Sequence, residues 1–305
     1  MHPSTPAFRR LNLSEIAGFG PLTIHRPGEF ESPGFIHHRG AALLTFLEEA
    51  RFLAKLAGNP DISAVITSPE LASRIPDRMA VATCTQPRIV FAQIHNRLAE
   101  SGYYWTDFES VIDPGARVHP SAFVAEKNVR IGAGTVVMPH ATILERCILA
   151  EDVTVGAGAV LGGEGFQRVR GSDPMLEMRH AGGLTLGRGV RCLAGAVVAT
   201  GLFRSNTDLK RDVRIGSQAF VSHDVTVGER TLIGHGAVVN GNVTIGANVW
   251  IGPGAVVSSD LSVGEDAFVS LGAVVVRDVP AGARLSGNFA IPHRRLLRLL
   301  AERER

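Results

Sequence analysis

At 305 residues, with 45% of them hydrophobic, the chain is long enough to bury a sizeable core and needs none of the staples of a small scaffold. A formal net charge of +2 argues against a strongly basic nucleic-acid surface. The three cysteines, Cys84, Cys147 and Cys192, are too few and too dispersed for a disulfide framework or a zinc knuckle.

Met1–Arg10 lacks the apolar core of a signal peptide, and no apolar run is long enough to cross a bilayer. A soluble, cytoplasmic protein is therefore expected. Gly40–Ala57 carries Leu43, Leu44, Phe46, Leu47, Leu53 and Leu56 at helical spacing, which predicts a helix. Ser63–Thr67 reads as a strand, and Ile89–Ser101 as a second helix with Phe91, Ile94 and Leu98 on one face. Together these elements predict a small α/β domain over residues 1–110.

Residues 111–290 carry a six-residue repeat. An aliphatic residue recurs at Val118, Val124, Arg130 (where the aliphatic moves to Ile131), Val136, Ile143, Leu149, Val155 and Leu161. A second block runs without a miss through Ile215, Val221, Val227, Ile233, Val239, Ile245, Ile251, Val257, Val263, Val269 and Val275. In most cases a glycine or serine follows the aliphatic. Six does not fit the 3.6-residue period of a helix, and strict alternation gives no reason for a small residue once in six. A triangular coil does: each hexad is one side, its aliphatic points inward, and the small residue allows the tight corner. Three sides make a coil of about eighteen residues, and stacked coils satisfy one another's backbone hydrogen bonds. The repeat breaks at 162–183 and at 201–212, which are expected to leave the prism as loops able to carry functional groups. Residues 291–305 read as a short arginine-rich C-terminal helix.

Catalysis on such a scaffold calls for a base and for oxyanion donors. His223, between Val221 and Val225, is either a solvent-exposed surface residue or that base. His235 lies two hexads on, and His180 sits in the first break, where it could contact substrate or cap a turn. A zinc site needs three convergent ligands, and no third histidine matches the spacing of His223 and His235, so no metal is expected.

On these features the chain resembles the UDP-3-O-acylglucosamine N-acyltransferases of lipid A biosynthesis. Gly162-Gly163-Glu164-Gly165-Phe166 is similar to the family's Gly-Ala-Asp-Gly-Phe, which opens the same long loop. Ser222-His223-Asp224-Val225-Thr226-Val227-Gly228 resembles its Ala-His-Asn-Val-Val-Ile-Gly, and Phe46 with Phe52 resembles an aromatic pair that sandwiches uracil. The resemblance implies a mainly β chain built on a left-handed parallel β-helix, preceded by a nucleotide-binding α/β domain and assembled as a homotrimer. It implies transfer of an acyl group from an acyl carrier protein or CoA thioester to the amine of a nucleotide-linked sugar, with His223 as general base and no permanently bound cofactor. Phe46, Phe52, Gly163, Gly165, Phe166, His180, Gly234 and His235 are the expected substrate-side residues, with a backbone N–H of the 234–236 turn as oxyanion donor. Arg294 and Arg295 suit an acidic carrier or a phosphopantetheine phosphate. Two positions depart from the family: Glu49-Ala50-Arg51 stands where it has Asn-Pro-Lys, and Gly216 stands where it has the aspartate that orients the histidine, leaving Asp208 or Asp212 as candidate replacements. These departures keep two further readings open, a short-chain CoA-dependent N-acetyltransferase of nucleotide-linked amino sugars and a non-catalytic β-helical binding module.

Overall fold

The structure, a computed structural model, describes residues 9–40, 42–165, 167–287, 292, 294, 295 and 302. The chain divides into two compact units, one of Met1–Phe108 with Glu164–Gly183 and Thr200–Asn206, the other of Glu109–Gly163, Leu184–Ala199 and Thr207–Arg305. Nearly all of the first break in the hexad repeat and half of the second thus belong to the first unit.

That unit is built on a five-stranded sheet in the order Thr23–Arg26, Ala80–Thr83, Ile62–Thr67, Leu43–Leu47, Ser32–Pro33. Only the first pair is antiparallel. Leu43–Leu47 corrects the helix predicted from Gly40 to Ala57: the first half of that segment is a strand, and only Leu53–Ala57 is α-helical. A short apolar run has no decisive period. Here it lies between two parallel neighbours with both faces covered, Leu44 and Phe46 packing in one core and Leu43 and Leu47 in the other. The strand expected near Ser63–Thr67 and the helix expected near Ile89–Ser101 form as Ile62–Thr67 and Pro87–Glu100.

The helix Pro87–Glu100 starts at a proline, whose missing N–H costs nothing in a first turn. It buries Val90, Phe91, Ile94 and Leu98, together with His95. The His95 imidazole lies 2.8 Å from the Arg179 carbonyl and 2.8 Å from the Tyr104 hydroxyl. Asn96 donates to the Glu177 carbonyl at 2.8 Å and accepts from the Arg179 N–H at 3.0 Å. These bonds and the buried Val169, Met178 and Ala181 fasten the 164–183 segment to the helix.

The second unit is the expected left-handed parallel β-helix. Its strands, two to four residues long, stack into three parallel sheets of eight, eight and nine strands, one for each side of the triangle. Register advances by eighteen residues per coil: Ile215 pairs with Ile233, Val221 with Val239 and Val227 with Ile245. All eleven aliphatics of the second block are buried in one continuous core. In the first block the inward residue is Val137 rather than Val136, as the shift to Ile131 requires.

The physical role of the small residue also differs from expectation. The corner that needs a left-handed backbone falls three positions after the aliphatic, at Gln218, Asp224, Arg230, Gly236, Asn242 and Asn248 in successive hexads. The glycine immediately after the aliphatic answers a different need. A Cβ on Gly216 would lie 2.5 Å from the His235 nitrogen, and one on Gly234 would lie 2.4 Å from the Pro253 nitrogen, so close approach of the next coil excludes a side chain.

Candidate active site

His223 follows the strand Phe220–Val221 and is 8% exposed, so it is not the solvent-exposed histidine its outward position allowed. Its Nδ1 lies 2.9 Å from the Asp224 carboxylate. This adjacent residue, rather than Asp208 or Asp212, supplies the orienting group: Asp208 pairs with Lys210, and Asp212 lies 3.8 Å from Arg211. Asp224 occupies a left-handed corner, φ 58°, a conformation that aspartate and asparagine tolerate better than most side chains. Its N–H donates to the Thr207 hydroxyl at 3.0 Å, and that buried hydroxyl lies 3.4 Å from the Ser222 carbonyl.

One coil further on, Gly241 faces the imidazole. A Cβ there would sit 2.5 Å from Nε2 and 2.6 Å from Cε1. The His223 carbonyl accepts from the Asn242 N–H at 3.0 Å. The ring is thus held on its Nδ1 side by a carboxylate and packed against bare backbone of the neighbouring coil. A neutral imidazole that gives its Nδ1 proton to a carboxylate carries its basic lone pair on Nε2.

His235 is separate from this arrangement. It is exposed, follows a strand of a different sheet, and accepts the Ser217 N–H on Nδ1 at 2.9 Å. The amides of Gly234 and Gly236 donate to the Ile251 and Ser217 carbonyls at 2.7 and 2.9 Å. Those two glycine N–H groups are therefore committed to inter-coil bonds, which corrects their expected availability to an oxyanion. His180 is buried within the first unit, not exposed on a loop. Gly163 ends the strand Val160–Gly163 opposite Ala199, Gly165 follows it half-buried, and Phe166 lies outside the described residues. Arg294 and Arg295 are helical and exposed, and most of the expected C-terminal helix lies outside the described residues.

The first unit holds a cavity of about 240 Å³ at the carboxyl end of the strand Leu43–Leu47, the end of a parallel sheet at which ligands bind. Phe46 and Phe52 both line it. Phe46 comes from the strand and packs in an aromatic cluster, its ring tilted 5.1 Å from that of Phe91, whereas Phe52 ends a 3-10 turn and is 38% exposed. The cavity's polar lining is Thr45, Glu48, Glu49, Arg88, Lys55 and His37. Arg88 pairs with Glu48 at 2.8 Å, and the Arg88 backbone N–H also donates to that carboxylate at 3.1 Å.

Among the described residues no group of three or more histidine, cysteine or acidic side chains is placed to hold a metal. The cysteines are buried and unbridged; burial pushes the Cys192 thiol up to about 12 and Cys147 higher still. No helix among the described residues is long and apolar enough to cross a membrane.

A model of the bacterial transferase hexapeptide (six repeats) matches residues 128–163, within the β-helix. The match takes in 36 of the 305 residues. The chain is 26% identical over 270 residues to the UDP-3-O-acylglucosamine N-acyltransferase of Azorhizobium caulinodans, a match covering 75% of each chain. It is 25% identical over 213 residues to the enzyme of the same name from Helicobacter pylori, covering 62% of each. Among solved structures it is similar to the Arabidopsis UDP-N-acetylglucosamine acyltransferase, with 20% identity and a TM-score of 0.44 over 58% of this chain and 71% of that one.

Proposed function

We propose that this protein is an N-acyltransferase that moves an acyl group from a carrier thioester to the amino group of a nucleotide-linked amino sugar. The observation that carries the reading is the His223–Asp224 pair, with Nδ1 2.9 Å from the carboxylate in a largely dehydrated site. Likeness to enzymes named UDP-3-O-acylglucosamine N-acyltransferase over most of the chain supports it.

Attack on a thioester by an amine needs a proton removed from nitrogen as the new C–N bond forms. Nε2 of His223 takes that proton, and Asp224 holds the ring in the tautomer that leaves Nε2 basic and stabilises the imidazolium that results. The tetrahedral intermediate then expels the thiolate, which leaves as the carrier thiol with the proton returned by His223. The amine attacks directly, so no covalent enzyme intermediate is needed. A positioned base of this kind contributes roughly 10²–10⁴-fold to rate.

The cavity between Phe46 and Phe52 is the subsite for the nucleotide base, flat faces meeting a flat heterocycle. The working assembly is a homotrimer, the donor is an acyl carrier protein or CoA thioester, and Arg294 and Arg295 receive its phosphate. Acyl transfer by purified protein tests the reading, with UDP-, dTDP- and GDP-linked amino sugars offered against acetyl-CoA and long-chain acyl carrier protein. Turnover that falls at least a hundredfold in a folded His223→Ala variant is the expected result. Turnover unchanged by that substitution removes His223 as base, and no turnover with any pair makes the β-helix a binding module.

A further inference from the structure

We infer that the cavity at the end of the strand Leu43–Leu47 selects a guanine base. The inference rests on the proposed reading of this cavity as the base subsite, and it departs from the uridine expected from resemblance. Two lining residues have buried polar atoms without a hydrogen-bond partner among the described residues: the Thr45 hydroxyl, on a residue that is 0% exposed, and Nε of Arg88. Such groups are made whole by a ligand that carries the missing partners. Arg88 Nε–H is a donor only and calls for a carbonyl oxygen or ring nitrogen, whereas a threonine hydroxyl can give or accept.

The lining also carries the carboxylates of Glu48 and Glu49, the Lys55 ammonium and His37. Ionised carboxylates only accept, so the ligand atoms that meet them must donate. Each is already paired with an arginine, Glu48 with Arg88 and Glu49 with Arg51 at 2.8 Å, but each oxygen has a second lone-pair site for a ligand donor. The ligand that fits is flat, to lie against Phe46 and Phe52, and it carries acceptors for Arg88 and Lys55 and separate donors for the two carboxylates. Guanine presents that set: O6 and N7 accept, and N1–H and N2–H donate. Uracil presents a single N–H between two carbonyl oxygens, which leaves one of the two carboxylates without a donor. Cytosine and adenine each offer an amino group beside ring acceptors and lack the adjacent pair of donors.

Isothermal titration of the full chain with GMP, UMP, CMP and AMP at one pH and salt concentration tests this. GMP is expected to bind at least tenfold more tightly than the other three, since a site built to pair specific polar groups discriminates strongly against a base that leaves them unpaired. Glu48→Gln and Glu49→Gln, which replace an acceptor by an amide able to donate, are each measured, and at least one should shrink the ratio of GMP to UMP affinity severalfold. Thr45→Val should weaken GMP binding while the unliganded protein keeps or raises its melting temperature. Equal or tighter binding of UMP overturns the guanine assignment and leaves the base subsite standing. A GMP preference unmoved by either glutamine variant overturns the assignment of the carboxylates as readers. Binding of none of the four nucleotides removes the base subsite itself, and the inference with it.

Discussion

Gly241→Ala adds one methyl group where the neighbouring coil touches His223, and its effect can be worked out from the coordinates. The new Cβ would lie 2.5 Å from Nε2, 2.6 Å from Cε1 and 3.1 Å from Nδ1. Carbon and ring atoms rest at about 3.5–4.0 Å, so the imidazole must retreat by roughly 1 Å. Gly241 is not among the left-handed residues, so alanine meets no backbone penalty and the strain falls on the ring. The fold loses about 1–3 kcal/mol, the usual cost of overpacking. A displacement of about 1 Å in a reacting group lowers turnover by roughly a hundredfold, or about 2.7 kcal/mol in activation free energy. The assay is steady-state acyl transfer alongside circular dichroism and thermal unfolding. kcat should fall while KM for the amino sugar stays near its original value. A folded Gly241→Ala enzyme with full kcat would refute the placing of the reaction at Nε2.

The buried Thr207 hydroxyl should act as a positioning group, because it accepts the Asp224 N–H at 3.0 Å; Thr207→Val should lower kcat about tenfold or more, leave KM for the amino sugar near its original value, and be rescued by Thr207→Ser. At the left-handed corner Gln218, φ 58°, a valine should lower the unfolding midpoint by the equivalent of about 1–2 kcal/mol while a glycine keeps or raises it, as read from urea titrations. Burial holds the Tyr104 phenol well above its usual value and the Cys192 thiol up to about 12. Both groups keep their protons in the folded chain at pH values where the unfolded chain releases them. Their stabilising contribution is therefore complete below about pH 8.5 and lost as pH rises through the folded values, so thermal midpoints should decline on the alkaline side and not on approach to it from pH 7. For the same reason Cys147 and Cys192 should react with a thiol reagent at pH 8 only after denaturant is added.

The β-helix was readable in advance because its cause is local and repeated: Ile215 through Val275 declare an inward residue every six positions, and all eleven are buried. What the spacing did not separate was the two kinds of small-residue position. Gly216 is small because Gly234 and His235 pass directly over it, a contact made by residues eighteen and nineteen positions away. Leu43–Leu47 was misread for a related reason: four apolar residues and a threonine become a strand only because Ile62–Thr67 lies beside them. The partner of His223 stood next to it in the sequence as Asp224, hidden because Asp and Asn recur at this corner for conformational reasons. Thr207 and Gly241 carried no local signal, since each reaches the histidine through the coil register. The cavity residues Thr45, Glu48 and Arg88 likewise meet through the order of strands in a parallel sheet and the helix that follows it.

The register of the β-helix carries a consequence for how such a chain can change. Thr154 pairs with Arg191 and Cys192 with Ile215, spans of 37 and 23 residues where an uninterrupted coil uses eighteen. In both cases the chain leaves the prism, runs through residues that fold with the first unit, and re-enters with its aliphatics facing inward again. The condition for re-entry is only that the next inward residue meets its partner one coil below, and nothing in it fixes the length of the detour. The residues that leave can therefore be lengthened, shortened or replaced while the stack keeps its geometry, whereas a residue inserted within the stack has to be absorbed locally, as in the seven-residue step from Val124 to Ile131, for the later aliphatics to stay inward. Variation in what such proteins accept is expected to accumulate in the detours, and variation in how long they are, in whole coils.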